Sequence, residues 1–94
     1  MVPGEAAAAK PGLTMHYVYL LQSETHPAQR YVGYSADLRQ RIAVHNAGGS
    51  PHTSKYRPWQ LVTYVAFSQK MAALDFERYL KSHSGKAFAG KRLW

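Results

Sequence analysis

The sequence contains no cysteine, which excludes a disulfide framework, a thiolate metal site and a cysteine nucleophile. The core must therefore hold by packing alone. No apolar run approaches the roughly 20 residues that a membrane-spanning helix needs. The opening MVPGEAAAAKPGLT has neither the basic head nor the strongly apolar stretch of a secretory leader. The expectation is a soluble, cytoplasmic protein with no membrane partner. Acidic residues are also scarce: five Asp and Glu stand against twelve Lys and Arg, a net charge of +7 over 94 residues. That balance favours a polyanionic partner, nucleic acid above all. The excess is uneven, with ten basic residues against two acids, Asp75 and Glu77, from Arg39 onward. A chain this short closes one hydrophobic core, so any site must sit on one scaffold.

Residues 1–14 hold two Pro, two Gly and four consecutive Ala, with Leu13 as their only large apolar anchor in the run that precedes Met15. Burial there is too small to offset the entropy of ordering, so a flexible tail is expected before a domain spanning 15–94. Residues 16–22 (HYVYLLQ) are apolar on both alternating faces, the pattern of a strand covered on both sides. Residues 30–34 (RYVGY) predict a second strand, joined to the first by a short antiparallel connection. Ser35 is a candidate cap for a helix over 37–46 that stops at the Gly48-Gly49 pair. Residues 48–59 form a polar, basic loop long enough to suspect function. Residues 60–67 predict a third strand, Ser68 a cap for a helix over 69–82, and residues 84–94 a short closing helix. The order ββαβα with a short helical end predicts an α+β fold, a small three-stranded antiparallel sheet flanked by helices.

Helical spacing then isolates a few polar residues at the edges of buried faces. Leu38, Ile42 and His45 share one stripe of the first helix, with Arg41 on its border. In the second, Ala73, Glu77 and Leu80 recur at i, i+4, i+7, which places Glu77 against the sheet and Asp75 away from it. A structural Arg41–Glu77 salt bridge accounts for both residues as well as a functional role does. Tyr17 and Tyr19 share a face of the first strand, and Tyr31 and Gly33 a face of the second. A glycine inside a strand suggests a bulge or a close approach by another group. The five histidines show no zinc-ligand spacing, and no Gly-Lys-Ser/Thr follows the glycine pair.

The succession Tyr17-Val18-Tyr19, eleven residues, then Tyr31-Val32-Gly33, resembles the two half-motifs of the GIY-YIG nuclease superfamily. The similarity continues through DLRQRIAVHN, the Arg57-Pro58-Trp59 turn and ALDFERYLK, and so covers residues 15–94. It is nearest to small single-domain members related to the nuclease domain of the bacterial excision-repair C subunit. The resemblance places the family's two tyrosines on Tyr19 and Tyr31, its arginine on Arg41, its histidine on His45 and its metal-binding glutamate on Glu77. Tyr17 stands where the first half-motif has glycine, and Tyr34 where the repair nucleases carry lysine.

What the resemblance implies is a metal-dependent endonuclease hydrolysing phosphodiester bonds in DNA, branched or single-stranded, in repair or recombination. Glu77 would hold Mg²⁺ or Mn²⁺ and Arg41 would pair with the phosphate. Tyr19 or Tyr31 would orient or deprotonate water, and His45 would serve as base, proton relay or hydrogen-bond partner to a tyrosine. Lys55, Arg57, Lys81, Lys86, Lys91 and Arg92 are candidate nucleic-acid contacts, interleaved with Tyr56, Trp59, Phe88 and Trp94 as stacking surfaces. DNA is favoured over RNA, and specificity would come from this surface, a homodimer mate or a partner protein. The competing reading is a non-catalytic basic nucleic-acid-binding module of the same fold.

Overall fold

A computed structural model describes residues 14–94. The tail expected over 1–14 lies, apart from Thr14, outside the described residues. Three strands, β1 (His16–Ser23), β2 (Arg30–Ser35) and β3 (Trp59–Phe67), form one antiparallel sheet in the order β2-β1-β3. Helix α1 (Leu38–Asn46) follows β2, and α2 (Lys70–Leu80) and α3 (His83–Arg92) follow β3. This is the α+β architecture the sequence predicts.

β1 is the central strand, and it alone of the three is buried on both faces. On one face Tyr17, Tyr19 and Leu21 pack with Leu38 of α1 and Trp59. On the other, Val18 and Leu20 pack with Ala73 and Leu80 of α2 and Ala89 of α3. The alanines at the contact let both helices approach the sheet closely, and each large side chain buried there contributes roughly 1.5–3 kcal/mol. Residue pairing runs Tyr19↔Gly33 toward β2 and Tyr19↔Tyr64 toward β3, with a register shift in β3 opposite Leu20/Leu21.

The helix starts differ from the sequence expectation. Asp37, not Ser35, caps α1: its carboxylate accepts from the Gln40 amide at 3.1 Å, while the Ser35 hydroxyl accepts from the Asp37 amide at 2.9 Å. Ser35 is thus spent on the turn that presents the cap. Ser68 does not cap α2; Gln69 stands at that position without a side-chain bond. α2 ends at Leu80 rather than at residue 82, because Ser82 caps α3 by accepting from the Gly85 amide at 3.1 Å. The loop after α1 contains a short 3₁₀ turn, Ser54–Tyr56, and Trp59 belongs to β3.

Candidate active site

The first half-motif places Tyr19 on the central strand, directly across from Gly33. A Cβ at Gly33 would overlap the Tyr19 hydroxyl and come within 2.9 Å of the Tyr31 ring. The glycine therefore makes the space in which the phenol lies, the close approach expected of a glycine inside a strand.

That phenol meets α1. Tyr19 Oη lies 2.8 Å from His45 Nε2, and His45 Nδ1 lies 2.7 Å from the Thr53 hydroxyl. His45 and Thr53 are fully buried. The chain of contacts continues, since Trp59 Nε1 donates to the Thr53 carbonyl at 2.8 Å. The Tyr31 ring completes the cluster, 5.0 Å from the His45 ring and 6.3 Å from that of Tyr19. Asn46, the last residue of α1, holds Trp59 by its backbone: Oδ1 accepts from the Trp59 amide at 2.5 Å and Nδ2 donates to its carbonyl at 3.2 Å.

Burial sets the protonation states. It pushes the Tyr19 phenol up from 10 to about 12; the Arg41 guanidinium opposes this by hydrogen bonding and by its positive charge, while Tyr31 and Glu77 add to the rise. Burial also lowers the His45 pKa, and the nearby charge of Arg41 lowers it further. Both effects disfavour the charged forms. At neutral pH the pair is a neutral phenol bonded to a neutral imidazole.

Glu77 comes from α2, which packs on the opposite face of the sheet, and its charge is felt by the Tyr19 phenol. Its ion-pair partner is Lys81, at 3.1 Å, rather than the Arg41 that the plain structural reading supplied. Partner choice follows helix geometry, since residues i and i+4 are neighbours on one face. The Glu77 side chain keeps 21 % of its exposure. One solvent-reached carboxylate suits Mg²⁺ or Mn²⁺, ions that retain several waters and need few protein ligands. Among the described residues no group of three or more His, Asp or Glu gathers into a closed metal site.

The structure thus brings Tyr19, Tyr31, Arg41 and His45 together, with Glu77 within electrostatic reach. The six candidate DNA contacts do not form one patch. Lys55 and Arg57 lie in the loop on the α1 face; Lys55 sits over the Tyr56 ring, and the Arg57 guanidinium occupies the space a Cβ would take at Gly48, a residue whose φ of 80° itself favours glycine. Lys81 and Lys86 line a cleft on the other side with Arg30 and Trp94. Lys91 and Arg92 end α3. Trp59 is a core residue, 4 % exposed, with its indole N–H bonded internally, so it offers no stacking surface. Sequence reasoning missed Thr53, Asn46 and Arg30. The first two are small polar residues whose partners are brought to them by the loop path, and Arg30 faces an aromatic ring 64 positions away.

Residues 15–92 match the model of the GIY-YIG catalytic domain. This chain belongs to the GIY-YIG family. The family is one of nucleases, and the match takes in nearly all of the described residues. It is 39% identical over 70 residues to a UPF0213 protein of Haloquadratum walsbyi, covering 73% of this chain and 76% of that one. It is 40% identical over 70 residues to the structure-specific endonuclease subunit SLX1 homolog of Giardia intestinalis, covering 70% of this chain. Against that relative it spans only 20% of the length. The solution NMR structure of a UPF0213 protein from Bacillus halodurans has the same fold at a TM-score of 0.50, with 32% identity over 82% of this chain and 83% of that one. Among the described residues no helix is long and apolar enough to cross a membrane.

Proposed function

We propose that this GIY-YIG chain is a cytoplasmic, metal-dependent endonuclease that hydrolyses phosphodiester bonds in DNA carrying a branch or a single-stranded segment. The observation that carries the reading is the buried Tyr19–His45 hydrogen bond with Arg41 beside it. Phosphodiester hydrolysis needs an activated water, a counter-charge for the non-bridging oxygens and relief of the leaving oxyanion. This cluster has a proton acceptor and a fixed cation in contact.

The pKa of Tyr19 decides between two ways of using the phenol. At about 12 only about one molecule in 10⁵ is ionised at pH 7, so a free phenolate is a poor resident base. A relay avoids it: the Tyr19 oxygen accepts the water proton as its own proton passes to His45 Nε2. The relay needs the imidazole tautomer with its proton on Nδ1, and the Thr53 hydroxyl is placed to accept from that nitrogen. Thr53 is then a positioning residue. Tyr31 packs against both rings and fixes their approach. Arg41 offers two parallel N–H donors to the phosphate. Glu77 is the residue that would hold Mg²⁺ or Mn²⁺, and a bound divalent ion would supply charge stabilisation and orient water and leaving group.

DNA is preferred to RNA as substrate in this reading. The relative from Giardia intestinalis is named a subunit of a structure-specific endonuclease, which supports a branched substrate and a second polypeptide, or a second copy, that helps to choose it. The test is cleavage of flap, branched, single-stranded and fully paired DNA with Mg²⁺, compared with Tyr19→Phe, Arg41→Ala and Glu77→Gln. Cleavage of wild type only, abolished by EDTA, is expected. Salt-sensitive binding without cleavage under any divalent ion would leave the non-catalytic module instead.

A further inference from the structure

A cleft of about 410 Å³ opens along the outer edge of β2, within the roughly 300–1,000 Å³ range of small-ligand sites. Its floor is apolar, made by Leu80 and Ala89 where α2 and α3 meet the sheet. Its cations are Arg30, Lys81 and Lys86, and none of the described residues lining it is acidic. Trp94 forms one wall, and the Arg30 guanidinium sits over its ring at 4.7 Å from the centroid. The cation–π contact holds Arg30 in place at the mouth.

Two residues join this cleft to the candidate active site. Tyr31 lines the cleft and also contacts the His45 and Tyr19 rings. Lys81 lines it while its Nζ is bonded to Glu77. A strand whose phosphate lies between Arg41 and Glu77 therefore has the cleft as its next stop. An apolar floor with ring and guanidinium planes suits a base, and the cations suit the phosphate that follows it. A paired base is held inside its duplex and cannot enter; an unpaired one can.

We propose that this cleft receives one unpaired nucleotide of a single-stranded DNA segment, immediately beside the phosphodiester to be cut. The proposal rests on the nuclease reading above and deepens it, because the cleft would then select substrates in which a strand leaves the duplex at the scissile bond. Arg30 and Trp94 are its specificity residues, outside the cluster assigned to the chemistry.

The experiment uses the full chain and a duplex with a single-stranded tail, with 2-aminopurine placed at one tail position at a time. Binding is followed by fluorescence in EDTA at low salt, and cleavage of the same strands is scored separately with Mg²⁺. Quenching confined to one position is expected, with an affinity loss of about tenfold when that position is made abasic. The abasic penalty should vanish in Trp94→Ala and shrink in Arg30→Gln, an exposed change that leaves the core untouched. Quenching at no position, equal quenching at all, absence of binding, or an abasic penalty that survives in both variants overturns the cleft. Equal competition by a poly-glutamate peptide does so as well. Cleavage without position-specific quenching removes only the cleft, whereas position-specific quenching without cleavage keeps it and removes the nuclease reading.

Discussion

Tyr19 and Gly33 face each other across β1 and β2, and the space a side chain would take at Gly33 is filled by the Tyr19 phenol. The glycine of the second half-motif is thus a steric condition on the tyrosine of the first. Gly33→Ala should displace the phenol from His45. Overpacking of this kind costs about 1–3 kcal/mol, so thermal unfolding should shift down measurably. DNA cleavage should fall at least tenfold beyond what the fraction folded explains; activity equal to wild type per folded molecule would show that the Tyr19–His45 contact is dispensable.

The two buried groups predict a stability profile with two limbs. His45 has its pKa lowered in the fold, so the unfolded chain binds more protons as pH drops below about 6.5. Stability is then fully present above that value and is lost as pH falls. Tyr19 is raised to about 12, so the unfolded chain loses its proton first and stability declines as pH rises above 10 toward 12. Thermal melts across pH should show the acid limb flattened in His45→Gln. The alkaline limb should shrink in Tyr19→Phe without vanishing, because burial raises Tyr17 as well.

Thr53 offers a test of the tautomer. Thr53→Val keeps the shape but leaves His45 Nδ1 buried without a partner, a cost of about 1–3 kcal/mol. Turnover should drop with KM little changed, and the acid limb of the rate profile should move; Thr53→Ser should restore both. A valine variant with wild-type turnover and an unmoved profile would assign Thr53 to packing alone.

Glu77 should separate chemistry from folding. Its pair with Lys81 is an i,i+4 contact with a half-exposed partner, worth about 0.3–0.5 kcal/mol, so Glu77→Gln should melt nearly with wild type. Its cleavage should be lost, as wild-type cleavage should be in EDTA and return with added Mg²⁺. Retained cleavage in Glu77→Gln would move the metal elsewhere.

Much of this site was legible because it is written in periodicity. β1 is apolar at every step from Tyr17 to Leu21, which demands cover on both faces, and the i+3/i+4 spacing of Leu38, Ile42 and His45 put a histidine where only a satisfied one can be buried. The same arithmetic set Arg41 and Glu77 at the margins of buried stripes. What periodicity cannot carry is a contact made by a loop. Thr53 reaches His45, and Asn46 reaches Trp59, only once the chain between them has turned back. The helix caps were misplaced for a related reason: Ser35 and Asp37 compete within three residues, and the winner depends on which amides the turn exposes. Trp59 looked like a surface aromatic beside Arg57, yet its side chain is drawn inward by Thr53 and the core of β1.

Asn46 grips Trp59 by both backbone groups, as a neighbouring strand would, so the segment from residue 47 to 58 begins and ends at nearly the same point. Its closure is fixed by a helix end and a strand start, independently of how long the intervening chain is. Extra residues at exposed Pro51 and His52 would open the turn in which the Thr53 and Ser54 amides donate to the Ser50 carbonyl, and would otherwise add the slow logarithmic entropy of a longer ring, about 0.6 kcal/mol per doubling. Growth at that point lies upstream of Thr53, which stays anchored to His45 and Trp59. The ring is therefore the place where this small domain can acquire new surface contacts without retuning the pair at its centre.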